Sequence, residues 1–140
     1  MSLKHEELTA KILSVFYKVY NELGHGFLES VYEAALALAL EEAGFAVKKQ
    51  VPITVWFHHQ PLGTFFADIL VNETVLLELK AVRALESSHE AQLLNYLRAT
   101  DIEVGLLLNF GPRPEFKRHL FENTKKKHFQ NVQKKTEPKG

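Results

Sequence analysis

Apolar residues recur at helical spacing in three segments, which together predict three amphipathic helices. The segments span residues 6–23, 29–43 and 87–99. In each of them the apolar positions follow the i, i+3, i+4 spacing that gathers them on one face of a helix. Gly24 and Gly44 follow the first two segments, at positions where glycine favours the end of a helix.

Shorter runs that are rich in β-branched and large apolar residues predict the strands. Strands are expected at residues 46–57, 65–71, 75–80 and 103–109, with a further edge strand at 115–121. The order of elements is therefore helix, helix, three strands, helix and strand, followed by the edge strand. A meander of strands and then a crossover helix predict an α/β sandwich in which helices flank a mixed central sheet.

The charges within the two central strands follow one pattern. Asp68 lies in the first of these strands, and Glu78 and Lys80 lie in the second. If Asp68 faces Glu78 across a turn at residues 72–74, all three charges share one face of the hairpin. The opposite face would then carry only apolar side chains, namely Ala67, Ile69, Val71, Val75, Leu77 and Leu79. A shift by one residue would place Asp68 among the leucines, so the pattern predicts this register.

The composition predicts one domain with a substantial core. The chain has 140 residues, of which 46% are apolar, a net charge of zero and no cysteine. Zero net charge gives no overall attraction to nucleic acid, and the lack of cysteine excludes disulfides and thiolate metal sites. Residues 1–122 are expected to form the domain. Residues 123–140, with six lysines and one glutamate, are expected to form a mobile basic tail.

The hydropathy pattern also indicates the cellular compartment in which the protein is expected. No stretch is apolar over the roughly 18–20 residues that a membrane-spanning helix needs. Residues 1–7 lack the apolar segment of a signal peptide. The sequence therefore predicts a cytoplasmic protein that has no membrane partner.

The carboxylates of Asp68 and Glu78 allow two interpretations when the hairpin is considered alone. With Lys80 beside them, they form either a buried ion cluster or a site for a hard divalent cation. Magnesium prefers carboxylate and water oxygens, and two carboxylates on adjacent strands supply part of its coordination sphere. The hairpin alone does not separate these interpretations.

Three motifs in order resemble the PD-(D/E)XK nuclease superfamily. Asp68, followed on the next strand by Glu78-Leu79-Lys80, resembles the motif that gives the superfamily its name. Residues 26–32, GFLESVY, match the pattern of its GxxExxY branch. Residues 92–96, QLLNY, resemble the QxxxY motif of its RecB-like and λ-exonuclease-like members. One departure is Ala67 in the place of the proline, which is a common variation in the superfamily.

The resemblance, which runs from about residue 8 to about residue 121, implies both a fold and a cofactor. The fold would be the PD-(D/E)XK nuclease-like αβββαβ sandwich, in agreement with the order of elements above. The cofactor would be Mg2+ or Mn2+. Its ligands would be Asp68, Glu78, the backbone carbonyl of Leu79, and Glu29 on the second helix.

The implied activity is metal-dependent hydrolysis of phosphodiester bonds in nucleic acid, with DNA as the first expectation. Lys80 would orient or deprotonate the attacking water and stabilise the charge that builds on the phosphate. Together with Asp68, Glu78 and Gln92 it forms the implied catalytic set. Gln92 and Tyr96, one helical turn apart on one face, would contact the substrate.

Several of these residues also have purely structural interpretations. Glu29 lies in the first turn of its helix, where the dipole favours an acidic side chain in any protein. Gln92 and Tyr96 also suit the polar edge of an ordinary helix. Tyr32 is expected to pack at the edge of the core.

Alternative functions remain open as well. The superfamily includes catalytically silent modules that bind nucleic acid or protein, and such a module is the main alternative. A small domain without a clear clamp is also compatible with a homodimer or with a protein partner. His89 shares the helix face of Gln92, whereas His58 and His59 are expected in an exposed turn.

Overall fold

The computed structural model describes residues 3–126, in which α-helices flank a β-sheet. The helices are α1 (Glu6–Leu23), α2 (Glu29–Glu42) and α3 (Ser87–Arg98). The strands are β1 (Val47–Phe57), β2 (Gln60–Val71), β3 (Val75–Lys80), β4 (Val104–Phe110) and β5 (Pro114–Leu120). The main departure from the predicted bounds is that β2 begins at Gln60 rather than at Phe65. Among the described helices, none is long and apolar enough to cross a membrane.

The described strands form one mixed sheet in the order β1-β2-β3-β4-β5. β3 and β4 are parallel, with Val75 beside Val104 and Lys80 beside Asn109, whereas the other neighbouring strands are antiparallel. Helix α3 makes the crossover connection that a parallel pair requires. The predicted α/β sandwich with a mixed central sheet is therefore confirmed.

Two clusters of buried side chains cover opposite faces of the sheet. Helices α1 and α2 bury Phe16 and Leu36 in a cluster that includes Leu77 of β3. Helix α3 buries Leu93 in a second cluster that includes Leu76 of β3. Because side chains alternate along a strand, the neighbours Leu76 and Leu77 belong to different clusters. The molecule therefore has α1 and α2 on one face of the sheet and α3 on the other.

The register predicted for the central hairpin is confirmed along its paired part. The paired residues are Ile69 with Leu77, Leu70 with Leu76, and Val71 with Val75. The turn between the strands consists of residues 72–74, as predicted. Continued by one residue, this register brings Asp68 level with Glu78.

The predicted position of one residue, Ala67, on the apolar face of the hairpin is wrong. Ala67 is buried in the cluster beneath α3, whereas Ile69 is buried in the cluster beneath α1 and α2. Residues two apart share a face in a regular strand, so β2 changes face at Asp68. On β1 the nearest residue to this point is Gln50, which has a φ of +52°. The spacing of residues in the sequence does not reveal such an irregularity.

Strand β2 continues well beyond the end of its partner β3. Its pairing with β3 stops at Ile69, while its pairing with β1 continues from Ala67 to Gln60. Residues 51–67 therefore form a two-stranded arm that begins beside Asp68 and extends past the end of β3. We call this segment the β1–β2 arm.

The packed structure extends past residue 122, where the domain was predicted to end. A short 3-10 helix spans Asn123–Lys125. Lys126 is only 3% exposed, and its Nζ donates to the carbonyls of Thr100 at 3.0 Å and Ile102 at 2.7 Å. Residues 123–126 thus pack against the domain because a lysine finds buried carbonyl partners there. The remainder of the predicted tail, residues 127–140, lies outside the described residues.

Candidate active site

Asp68 and Glu78 meet at the point where β2 parts from β3. The backbone N–H of Asp68 donates to Oε1 of Glu78 at 3.1 Å, and Oδ2 of Asp68 accepts the backbone N–H of Leu79 at 2.8 Å. These two bonds join the strands beyond the end of the regular ladder. They fix the orientation of both carboxylates, and the second oxygen of each makes no hydrogen bond to any residue in the described part of the chain.

The surroundings of both carboxylates disfavour the ionised form. Burial, followed by the charge of Asp68, raises the pKa of Glu78 to about 8, and only 4% of Glu78 is exposed. Burial also raises the pKa of Asp68, and the charges of Glu33 and Glu29 raise it further. A buried carboxylate that lies close to a half-buried one favours either a bound proton or a bound cation.

Helix α2 brings two further carboxylates to this point. Oε1 of Glu29 accepts the backbone N–H of Ala81, immediately after β3, at 3.3 Å. Glu33, one helical turn later, accepts a hydrogen bond from Gln50 at 2.5 Å. Sequence reasoning missed Glu33 as a site residue. The available signal was its i+4 spacing from Glu29, which places both on one helix face.

Tyr32 holds the loop that precedes α2. Its hydroxyl donates to the carbonyl of Gly24 at 2.6 Å and accepts the N–H of Phe27 at 3.3 Å. Its ring is fully buried and stacks on Phe110 with 4.3 Å between centroids, which confirms the predicted packing role. Because Glu29 lies between this loop and Tyr32 in the sequence, the contacts fix the turn that carries its carboxylate.

Lys80 reaches helix α3 rather than pairing with a carboxylate. Its Nζ donates to Oε1 of Gln92 at 2.8 Å, and Nε2 of Gln92 donates to the hydroxyl of Tyr96 at 3.1 Å. Among residues 3–126, Lys80 forms no salt bridge, so the ion cluster of the structural interpretation is not formed by direct pairing. The charge of Lys80 nonetheless opposes the effect of burial on the pKa of Asp68 and Glu78.

The three histidines considered in the sequence analysis, His58, His59 and His89, lie outside this cluster. Nδ1 of His89 accepts the backbone N–H of Glu86 at 2.9 Å, which caps the start of α3. His58 and His59 are exposed at the turn of the β1–β2 arm, as predicted, and both have positive φ. The contact of His89 therefore gives it a structural role.

Asn109 fixes the segment that follows Lys80, and sequence reasoning missed it. The residue is fully buried on β4. Its side chain accepts the N–H of Val82 and donates to the carbonyl of Val82, each at 2.9 Å, and also donates to Glu115 at 3.1 Å. An amide within the apolar run of β4 was the signal that the sequence offered. These bonds determine where the chain leaves the end of β3.

The residues present fit a hard divalent cation. Within residues 3–126, no three His, Cys, Asp or Glu side chains are arranged to hold a metal by themselves. Two carboxylates that are completed by backbone and water oxygens nevertheless suit magnesium, which keeps several of its waters. A positive charge beside the free oxygens of Asp68 and Glu78 would offset the burial and repulsion that raise the pKa of Glu78.

The model of a known family matches most of the chain. It describes the PD-(D/E)XK nuclease superfamily and matches residues 6–119, from α1 into β5. This span contains Glu29, Asp68, Glu78, Lys80 and Gln92. The match confirms the superfamily resemblance seen in the sequence, while the GxxExxY branch stays a prediction. A search of curated proteins found no match.

Two solved structures align with the chain. The crystal structure of SSO0001 aligns with a TM-score of 0.54 and 17% identity, covering 76% of this chain and 58% of SSO0001. The alkaline exonuclease LHK-Exo from Laribacter hongkongensis aligns with a TM-score of 0.41 and 11% identity, covering 94% of this chain and 77% of the exonuclease. The likeness to SSO0001 is one of fold, and this chain spans less than two thirds of its length.

Proposed function

Because this chain belongs to the PD-(D/E)XK nuclease superfamily, we propose that it is a metal-dependent nuclease whose active site lies where β2 parts from β3. The observation that carries the proposal is the pair formed by the half-buried Asp68 and the buried Glu78. Each has one oxygen bound to the opposite strand and one oxygen that makes no hydrogen bond within residues 3–126. Burial raises the pKa of both carboxyl groups, and neighbouring carboxylates raise it further, as expected for carboxylates whose natural partner is a cation.

The ligands proposed for the cation are Asp68, Glu78, the backbone carbonyl of Leu79 and, directly or through water, Glu29. Mg2+ or Mn2+ bound there would polarise a phosphate oxygen and lower the pKa of a water molecule. Glu33 lies on the same face of α2 as Glu29 and acts on the pKa of Asp68, after the larger effect of burial. We therefore add Glu33 to the acidic set, as a residue that would contact a water molecule bound to the cation.

Lys80 is proposed to be the catalytic cation. Its ammonium group is oriented by Gln92 and carries a charge that no carboxylate in the described residues neutralises by direct pairing. From this position it would orient the attacking water and stabilise negative charge on the phosphate. Gln92 and Tyr96 would contact the phosphate and the backbone of the substrate strand.

Two features favour a nuclease over a catalytically silent module on the same fold. Glu78 is almost fully buried at a cost in desolvation, and neither Asp68 nor Glu78 pairs with Lys80. A module that only binds its partner gains nothing from this arrangement. As finer points, we propose membership of the GxxExxY branch and DNA as the substrate to test first.

A cleavage assay tests the proposal. Labelled single-stranded and double-stranded DNA and RNA would be incubated with the protein in Mg2+, in Mn2+ and in a chelator. We expect cleavage of at least one substrate with either metal and none in the chelator. Nucleic-acid binding without cleavage under all conditions would instead favour the silent module. A protein that binds neither metal nor nucleic acid would instead favour a structural ion cluster.

A further inference from the structure

A groove lies between the β1–β2 arm and helix α3, and the site described above does not account for it. Its volume is about 730 Å³. The arm contributes Trp56, Phe57, Leu62 and Phe65 to its lining. Three of these residues are about half exposed or more, with exposed fractions of 52% for Phe57, 64% for Leu62 and 48% for Phe65. Exposed aromatic rings around a groove of this size indicate a binding surface.

The groove is continuous with the candidate active site. Gln92 and Tyr96 line the groove, and the same two side chains extend the hydrogen-bond chain that begins at Lys80. A ligand held at Lys80 is therefore adjacent to the aromatic wall. This continuity suggests that one ligand occupies both places.

We propose that the groove binds one or two unpaired bases of the strand whose phosphate lies at Lys80. The inference rests on the proposed nuclease function and names its substrate as single-stranded or locally opened nucleic acid. Aromatic side chains stack on bases of any sequence, and each such contact contributes substantially to the binding of single strands. The volume is that of a small-molecule pocket, which suits one or two bases and not a duplex.

The charges around the groove suit a polyanionic strand such as nucleic acid. Arg98 is the single charged residue that lines the groove within the described chain. Residues 47–67 carry two lysines and two histidines and no acidic residue. Arg98 follows Gln92 by six residues, which is about 9 Å along a helix axis. A strand that passes Gln92 and then the aromatic wall therefore reaches a cation for its next phosphates.

The chain offers a matched pair of variants for the test. Phe65 and Phe66 are neighbours on β2 with similar exposed fractions, 48% and 51%, but only Phe65 lines the groove. Because both are about half exposed, truncating either one should preserve the fold, and thermal melting would verify this. Trp56 is the chain's single tryptophan, so its fluorescence reports directly on the groove.

The experiment measures binding of a labelled DNA single strand of about a dozen nucleotides and of a blunt duplex with the same sequence. Glu78→Gln serves as the common background, so that binding is measured without cleavage. We expect the single strand to change the fluorescence of Trp56. Phe65→Ala should weaken single-strand binding by about 5- to 140-fold, the range that loss of one stacked base contact gives. Phe66→Ala should change single-strand binding less than about twofold, and neither variant should alter duplex binding.

The outcomes separate this inference from the proposed function. If the wild-type protein cleaves nucleic acid but Phe65→Ala and Phe66→Ala bind the single strand equally well, the groove inference is overturned and the nuclease proposal stands. If the wild-type protein is a dimer in solution, Phe65→Ala converts it to a monomer and strand binding stays intact, then a second copy occupies the groove. That result also overturns the inference. If the wild-type protein neither binds nor cleaves nucleic acid, both proposals fail.

Discussion

Asp68 and Glu78 are joined by reciprocal contacts across the gap between β2 and β3. The N–H of Asp68 donates to Glu78 at 3.1 Å, and the carboxylate of Asp68 accepts the N–H of Leu79, the residue after Glu78, at 2.8 Å. Each side chain therefore has one oxygen that supports the fold and one that can bind a ligand. Substitutions that keep the first function and remove the second are the informative ones.

Asp68→Asn makes this separation. The amide oxygen can still accept the N–H of Leu79, so we expect the variant to fold, whereas the loss of charge should weaken metal binding. The affinity should fall by at least the roughly 10- to 100-fold that loss of an outer-shell partner costs, and cleavage should fall with it. Calorimetric titration with Mn2+ measures the first effect. Asp101→Asn, at an exposed aspartate, is the control and should behave as wild type.

The stability of the metal-free protein should decrease as pH rises. The pKa of Glu78 is raised from 4.5 to about 8 in the folded protein. Between these values the folded state binds more protons than the unfolded chain, so ionisation of Glu78 favours unfolding. Thermal melting of the wild type in a chelator should therefore show a falling melting temperature from about pH 5 to about pH 8.

Glu78→Gln is the matched control for that pH dependence. It removes the titrating group at nearly constant volume, so its melting temperature should fall less over the same interval, with Asp68 contributing the remainder in the same direction. Mg2+ should restore stability to the wild type at the alkaline end and have little effect on Glu78→Gln. Identical pH profiles for the two proteins would show that Glu78 is not the group responsible.

Lys80→Ala should separate catalysis from metal binding. If Lys80 acts on water and phosphate, cleavage should fall by about 10²–10⁴-fold, the usual effect of removing a positioned acid–base group. Metal affinity should stay the same or increase, because a positive charge near the cation has been removed. Lys18→Ala, which alters an exposed lysine of α1, is the control. A Lys80→Ala variant that cleaves as fast as wild type would exclude Lys80 from the mechanism.

The domain boundary gives a prediction that is independent of activity. A chain that ends after Lys126 should melt close to the full-length protein, whereas a chain that ends after residue 122 should melt at a lower temperature. The shorter chain removes the partner of the carbonyls of Thr100 and Ile102, at a cost of about 1–3 kcal/mol. That cost corresponds to several degrees in Tm. Equal melting temperatures for the two truncated chains would show that the folded domain ends at residue 122.

The register of the central hairpin was predictable because burial acts on every residue of it at once. A shift by one position would have exchanged its apolar and charged faces, so Asp68, Glu78 and Lys80 together specified the pairing. The face occupied by Ala67 was not predictable. It depends on the irregular backbone at Asp68 and Gln50, which arises where β2 stops pairing with β3 and leaves no trace in residue spacing.

The convergence of Asp68, Glu78 and Glu29 was predictable, whereas the contacts that support the candidate site were not. Carboxylates on neighbouring strands and an acid in the first turn of α2 are visible as local patterns. Asn109 and Glu33 act through contacts with residues distant in sequence, Val82 and Gln50 respectively. Such contacts depend on how the elements pack. The pairing of Lys80 with Gln92 likewise requires the crossover of α3 to bring that side chain above β3.

The most direct test of the central claim is the location of Mn2+ by anomalous scattering in crystals soaked with that ion. We expect a peak bound by the free oxygens of Asp68 and Glu78, with Lys80 still bonded to Gln92. The same soak of Asp68→Asn crystals should show a weaker peak or none. Wild-type crystals with no anomalous peak at this site in excess Mn2+, and with Lys80 paired directly to Glu78, would contradict the claim that this is a metal-dependent active site.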